Sequence, residues 1–330
     1  MNVLVVGGSG FIGTRLCRRL SEKGSDFRII DKSRSVSFPE KTVMADVREI
    51  EALRNAVNPN AVIINLAAEH RDDVRPLSLY DEVNVQGARN LCAVAREKSV
   101  NTIVFTSSVA VYGFAPEGTD ETGEFAPFNE YGRTKAEAEG VYRAWQEEAP
   151  QERALVIVRP TVVFGERNRG NVYNLLRQIA SGRFIMVGDG RNYKSMAYVE
   201  NVAAFLEHAV MSKPGIHIYN YIDKPDIDMN SLVSLVRKTI GKGSGNFFRL
   251  PYWAGYSAAK ILDAIAFLTG KNFPISSIRV KKFCSTTSFS SSTVSSSGFV
   301  APFSLDEGLK NTIQYEFIED NSDKSVFYSE

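Results

Sequence analysis

Through the first half of the chain, short unbroken apolar runs alternate with stretches of helical pattern. Residues 3–6, 27–30, 61–66, 102–105 and 155–158 read as strands, and residues 10–23, 81–98 and 131–148 read as helices. A strand without polar alternation must be buried on both faces, and strands separated by helices pair in parallel. Right-handed crossovers then lay helices on both faces of one sheet. The pattern restricts this half to an α/β fold with a doubly wound parallel sheet.

Pro160 and Gly165 mark an exit from that unit. Beyond them, residues 171–181, 201–211 and 231–240 read as helices, 241–245 as a glycine-rich break, and the serine-rich 288–297 as a turn-rich connection inside a fold. The 330 residues can bury a large core in one or two domains. The expected division is a dinucleotide-binding unit over 1–165, with a return of the chain near 191–221. A smaller C-terminal substrate unit covers 166–190 and 222–330.

Gly7-Gly8-Ser9-Gly10-Phe11-Ile12-Gly13 joins the first strand to the first helix. Glycine at 7, 10 and 13 allows the tight turn, the close approach of a pyrophosphate and close helix–strand packing. The helix N-terminus adds free N–H groups and a favourable dipole. Asp31 ends the second strand, where a carboxylate binds both ribose hydroxyls and repels a 2′-phosphate. NAD is therefore expected over NADP, although Lys32 and Arg34 stand close by and act against that preference. Together these features are a Rossmann-type fingerprint.

Two further segments carry acid–base chemistry. Ser107-Ser108 follows the strand at 102–105, and Tyr131-Gly132-Arg133-Thr134-Lys135 opens a helix. Tyr131 and Lys135 lie one turn apart and so share a face. Lys135 can hold a ribose and lower the tyrosine pKa, leaving Tyr131 as a general base toward a sugar hydroxyl. Ser108 can hydrogen-bond the same oxygen. Catalytic roles are thus expected for Tyr131, Lys135 and Ser108.

Other classes are disfavoured. A net charge of +1 implies no nucleic acid or other general polyanion partner. Three histidines, at 70, 208 and 217, have no ligand spacing, so no metal is expected and His70 is assigned no chemistry. Three cysteines fit neither a metal nor a disulfide framework, which suits reduced thiols in a cytosolic compartment. The chain opens directly on a strand, so no signal peptide is expected. No uncharged apolar run reaches the ~18 residues of a spanning helix.

One apolar stretch, 252–268, is interrupted only by Ser257, Lys260 and Asp263 among strongly polar residues. Arg249 and Lys271 flank it, and Tyr252, Trp253 and Tyr256 suit a headgroup boundary. Composition alone leaves two readings open: an interfacial membrane helix, or a helix buried in the second unit or in a dimer interface.

These motifs resemble the extended short-chain dehydrogenase/reductase family along nearly the whole chain. Leu66-Ala67-Ala68, Asn84-Val85-Gln86-Gly87, Arg159-Pro160-Thr161 and Ser304-Leu305-Asp306-Glu307-Gly308-Leu309 match its pattern. The resemblance implies cofactor contacts at Gly7, Gly10, Phe11, Ile12, Gly13, Asp31, Asp46 and Val47. It implies further ones at Leu66, Ala67, Ala68, Asn84, Ser107, Tyr131, Lys135 and Pro160. Substrate contacts are expected at Ser108, Asn171 and Lys194. Lys194 stands where uridine-sugar epimerases of the family carry a diphosphate-binding arginine, and their late Arg-Pro-Gly-Asp-type motif is missing.

Residues 67–74, 166–174, 219–226 and 279–284 resemble a narrower group, which epimerises N-acetylglucosamine at C4 on undecaprenyl diphosphate. That resemblance implies NAD as cofactor and a lipid-linked sugar substrate used in O-antigen assembly. It also implies a peripheral or monotopic place at the cytoplasmic face of a bacterial inner membrane, while the oligomeric state, a homodimer or not, stays open. The alternatives are a UDP-N-acetylglucosamine 4-epimerase, a nucleotide-sugar 4-ketoreductase and a non-catalytic cofactor-sensing protein.

Overall fold

A computed structural model describes residues 2–71, 74–243, 248–269, 276–321 and 323–328. Lys271 and the Asp72-Asp73 pair lie outside them. Seven parallel strands form the central sheet: β1 (Val3–Val6), β2 (Phe27–Asp31), β3 (Thr42–Met44), β4 (Val62–Asn65), β5 (Thr102–Thr106), β6 (Ala154–Pro160) and β7 (Gly215–Tyr221). Their spatial order is β7-β6-β5-β4-β1-β2-β3. The order reverses between β1 and β4, which places the ligand-binding crevice at the carboxyl ends of these two strands.

Alternate residues of each strand feed opposite cores. Leu4, Val6, Ile63, Phe105, Leu155 and Ile157 pack with the Gly87–Glu97 and Glu130–Glu147 helices. Val3, Val5, Ile29, Ile64, Val104 and Val156 pack with Phe11–Glu22 and Val199–Ala209. Each fully buried valine, leucine or isoleucine contributes about 1.5–3 kcal/mol, so a polar residue in β1 would disrupt the layer that it faces. A third core joins Asn171–Ser181, Met229–Thr239 and Leu305–Phe317. Ser304 caps the last helix reciprocally with Glu307.

Expected helices appear within a few residues of their sequence bounds. The helix expected at 81–98 begins earlier and is irregular: Ser78–Tyr80 leads into a π-form turn, Asp81–Gln86, before the regular Gly87–Glu97. Cys17 and Cys92 are buried, and burial pushes both thiols up to about 12, so they stay protonated.

The Tyr252–Thr269 helix buries only Gly255 and Ala259. Trp253, Ile261, Phe267 and Leu268 are 73%, 63%, 89% and 81% exposed. Burial inside the second unit is therefore not its state in this chain. Among the described residues no helix is long and apolar enough to cross a membrane.

Candidate active site

The crevice begins at Gly7, whose φ of +78° is open to glycine. A Cβ there would lie 2.6 Å from the Ala67 nitrogen, and one at Gly13 would lie 2.5 Å from the Gly8 Cα. Both positions exclude a side chain. Gly10 is the N-cap of Phe11–Glu22 and supplies no side-chain cap to its first turn. Uncapped N–H groups at a helix start suit a phosphate. Phe11 and Ile12 are partly buried on the first turn, between the sheet and the third core.

The Asp31 carboxylate fixes this loop. Its oxygens accept the Ser9 N–H at 3.0 Å and the Ser33 N–H at 2.9 Å. A carboxylate has about four acceptor sites, so ribose hydroxyls can still donate to it. Asp46 grips Arg48, which holds its carboxyl below the usual range. Val47 is buried, and its carbonyl accepts from Asn90 Nδ2 at 2.9 Å.

On the far side of the switch point, the Leu66 N–H donates to the Val6 carbonyl at 2.8 Å. The Ala67 N–H donates to Asn65 Oδ1 at 3.0 Å, and Ala68 follows in the same loop. Asn84 is spent on protein: Nδ2 donates to the Glu69 carbonyl and to Thr134 Oγ1, and Oδ1 accepts the Glu69 N–H. It clamps the loop after β4 to the helix that carries Tyr131. Pro160 is the buried last residue of β6.

Ser107 and Ser108 leave the end of β5. Ser107 Oγ is buried and has no hydrogen-bond partner among the described residues. Ser108 Oγ caps the short turn Val109–Tyr112, accepting the Ala110 N–H at 3.1 Å, and also hydrogen-bonds Tyr131. Burial pushes the Tyr131 phenol up to about 12, against the pull of that bond. Lys135 Nζ donates to the Thr106 carbonyl at 2.7 Å and lies 4.7 Å from the Phe105 ring centre. Burial lowers Lys135 to about 7, while Glu139 acts in the opposite direction. Burial therefore sets the direction of both shifts in this structure. A dinucleotide fits this crevice on three counts: the side-chain-free cradle, the Asp31 carboxylate and the orphaned Ser107 hydroxyl.

The three residues assigned to substrate separate. Ser108 stands beside Tyr131. Asn171 is exposed on the first turn of Asn171–Ser181. Lys194 Nζ donates to the carbonyls of Lys282 at 2.9 Å and Ser285 at 2.7 Å, closing the C-terminus of Ser277–Cys284. Burial lowers this lysine to about 8.

Sequence reasoning missed the pair behind the site. Arg159 and Glu139 form a wholly buried ion pair, and the Arg159 guanidinium also donates to the Tyr112 hydroxyl. A signal was present: Tyr131, Lys135 and Glu139 repeat every fourth residue and so share one helix face.

A parallel sheet with a glycine cradle at its switch point, and Ser, Tyr and Lys converging at the end of β5, define a dinucleotide-dependent enzyme of the short-chain dehydrogenase type. Residues 3–220 match the NAD dependent epimerase/dehydratase family, and the chain belongs to it. It is 50% identical over 332 residues to the N-acetyl-alpha-D-glucosaminyl-diphospho-ditrans,octacis-undecaprenol 4-epimerase of Escherichia coli O157:H7, covering 100% of this chain and 99% of that protein. It is 28% identical to the UDP-glucose 4-epimerase of Vibrio cholerae, covering 97% of each. The fold matches that of the Thermus thermophilus UDP-glucose 4-epimerase in complex with NAD. Here the TM-score is 0.73 at 22% identity, with 96% of this chain and 98% of that one covered.

Proposed function

We propose that this chain is an NAD-dependent 4-epimerase that interconverts N-acetylglucosaminyl- and N-acetylgalactosaminyl-diphosphoundecaprenol. The observation that carries this reading is Tyr131 beside Ser108, one turn from a Lys135 whose ammonium is held at the end of β5. Full-length similarity to a relative named for that substrate supports the carrier. So does Lys194, which closes a helix end where uridine-sugar enzymes of the family hold a diphosphate.

Gly7, Gly10 and Gly13 would seat the pyrophosphate of NAD, Asp31 its adenosine ribose and Lys135 its nicotinamide ribose. When bound, NAD would supply a reversible hydride acceptor for C4 of the sugar. Tyr131 Oη takes the O4 proton as that carbon is oxidised and returns it after the 4-keto sugar has turned over. Ser108 Oγ steadies the oxygen through both half-reactions. A protonated Lys135 beside the phenol lowers the cost of the tyrosinate.

The two-unit division, 1–165 against 166–190 and 222–330 with a return near 191–221, is the corresponding reading of the domains. It is supported by the pairing of β7 with β6. The Tyr252–Thr269 helix is the membrane-facing element. Its exposed apolar face, its stacked Tyr252 and Tyr256, and its nearby basic residues suit an anionic inner-leaflet surface. A homodimer would then leave this face uncovered.

Tyr131→Phe tests the chemistry. Turnover of the lipid-linked sugar should fall by about 10²–10⁴-fold while NAD remains bound. Near-normal turnover would remove Tyr131 as the base.

A further inference from the structure

A cavity of about 730 Å³ opens between the Met186–Val187 and Arg249–Leu250 strands, the start of Tyr252–Thr269 and the end of Ser277–Cys284. Lys281, on its wall, links it to the catalytic residues. The Lys281 ammonium lies 5.4 Å from the Phe114 ring centre, and the neighbouring Lys282 ammonium lies 4.0 Å from that of Phe128. Phe114 follows the turn capped by Ser108, Phe128 precedes the helix of Tyr131, and the two rings stand 5.1 Å apart. The helix that forms this wall of the cavity thus packs on the segments that flank Ser108 and Tyr131.

Its chemistry is selective. Most neutral hydrogen-bonding groups on the wall are turned into the protein. Asn192 Nδ2 donates to the Phe283 carbonyl at 2.8 Å, Ser285 Oγ to the Lys281 carbonyl at 2.7 Å, and Cys284 Sγ to the Val187 carbonyl at 3.4 Å. Lys194 is turned away in the same manner. Reading a nucleobase edge requires such donors and acceptors facing the ligand. The charged lining is two cations, Lys281 and Arg249, against one carboxylate, Asp189, and the rest of the wall is largely apolar surface from Val187, Leu250, Pro251 and Tyr252. The Arg249 guanidinium is held in place by the Asp189 carbonyl at 2.8 Å and by Asn230 Oδ1 at 3.0 Å. Tyr252 is also the first residue of the exposed apolar helix, so the cavity wall adjoins that helix.

We infer that this cavity is the seat of a polyprenyl diphosphate. The two phosphates lie against Lys281 and Arg249, and the first isoprene units run along Leu250 and Tyr252 toward the exposed face. The inference rests on the proposed lipid-linked substrate and adds where its carrier is held. Lys281, rather than Lys194, then answers the diphosphate charge, and the isoprenyl chain leaves on the side that faces the bilayer.

The test titrates farnesyl diphosphate, inorganic diphosphate and UDP into the full chain by calorimetry. It compares wild type, Lys281→Gln, Tyr252→Ala and a control, Lys310→Gln, on the far Leu305–Phe317 helix. Thermal midpoints and retained NAD confirm folding. Lys281→Gln should weaken farnesyl diphosphate by about tenfold, the loss of one charge-assisted contact. Tyr252→Ala should weaken farnesyl diphosphate and spare inorganic diphosphate, and the control should match wild type. Equal farnesyl diphosphate affinity in wild type and Lys281→Gln would overturn the inference, as would tighter binding of UDP than of farnesyl diphosphate. If wild type epimerises the lipid-linked sugar and Lys281→Gln leaves its KM unchanged, the carrier seat is wrong and the epimerase reading stands. If no lipid-linked sugar turns over but farnesyl diphosphate affinity still depends on Lys281, the seat stands and the epimerase reading falls.

Discussion

Arg159 and Glu139 meet in a two-pronged ion pair inside the protein, with Nε–Oε1 at 2.8 Å and Nη2–Oε2 at 2.6 Å. Glu139 lies one turn beyond Lys135 on the same helix, so the pair ties the helix of the proposed base to the end of β6. Its carboxylate also opposes the depression of the Lys135 pKa.

Glu139→Gln should therefore act twice. It leaves Arg159 buried without its countercharge, which costs about 3–5 kcal/mol and lowers the thermal midpoint. It also lowers Lys135 further below about 7, so the ammonium is lost at a lower pH. The alkaline limb of the pH–rate profile should move to lower pH. An unchanged midpoint together with an unchanged profile would remove Glu139 as a positioning residue.

Asp223 offers a separate pH test, away from the crevice. It is buried and accepts the Tyr198 N–H at 2.6 Å and the Tyr221 hydroxyl at 3.2 Å, yet burial raises its pKa to about 6. A folded pKa above the unfolded value of 3.8 means that the folded state binds the proton more tightly. The associated stability is fully present below the unfolded pKa and is lost as pH rises through about 6. Asp223→Asn should stabilise the protein at pH 7.5 by about 1–3 kcal/mol, with the gain vanishing near pH 4. Denaturant melts at the two pH values check this, and a destabilised variant at pH 7.5 would contradict it.

Asp31→Ala should weaken NAD relative to NADP, because it removes a ribose acceptor and the repulsion of a 2′-phosphate. It also frees the Ser9 and Ser33 N–H groups, so NAD affinity should fall in absolute terms. Titration of both cofactors measures the ratio, and an unchanged preference would show that Asp31 is not the ribose ligand.

Much of this architecture was legible in the sequence because it depends on local pattern. The runs at 3–6, 27–30 and 102–105 became strands, and the glycine spacing became a cradle that only glycine fits. What stayed hidden depends on where distant segments meet. The short edge strand Thr42–Met44 has little pattern of its own. The direction of Lys194 is set by carbonyls about 90 residues away in sequence. The Arg159–Glu139 pair needed the packing of a helix on a strand to become visible. The 252–268 stretch was ambiguous because a buried helix and an interfacial one share a composition and differ only in what covers them.

That exposed helix gives a direct test of membrane contact. Trp253→Asp, Ile261→Asp and Leu268→Asp, combined, place charge on side chains that are 73%, 63% and 81% exposed. The variant should fold normally and lose sedimentation with anionic vesicles. Unfolding would identify the segment as core. A wild-type protein that stays in the supernatant, or one whose helix is occupied by a second copy of the chain, would contradict a bilayer-facing role.

The carrier assignment is tested most directly by offering purified wild-type protein N-acetylglucosaminyl-diphosphoundecaprenol in detergent and UDP-N-acetylglucosamine in parallel, with the sugar released and separated after equilibration. The expected result is N-acetylgalactosamine from the lipid-linked substrate without added reduced cofactor, and little from the uridine-linked one. Efficient conversion of UDP-N-acetylglucosamine, with none of the lipid-linked sugar, would contradict it.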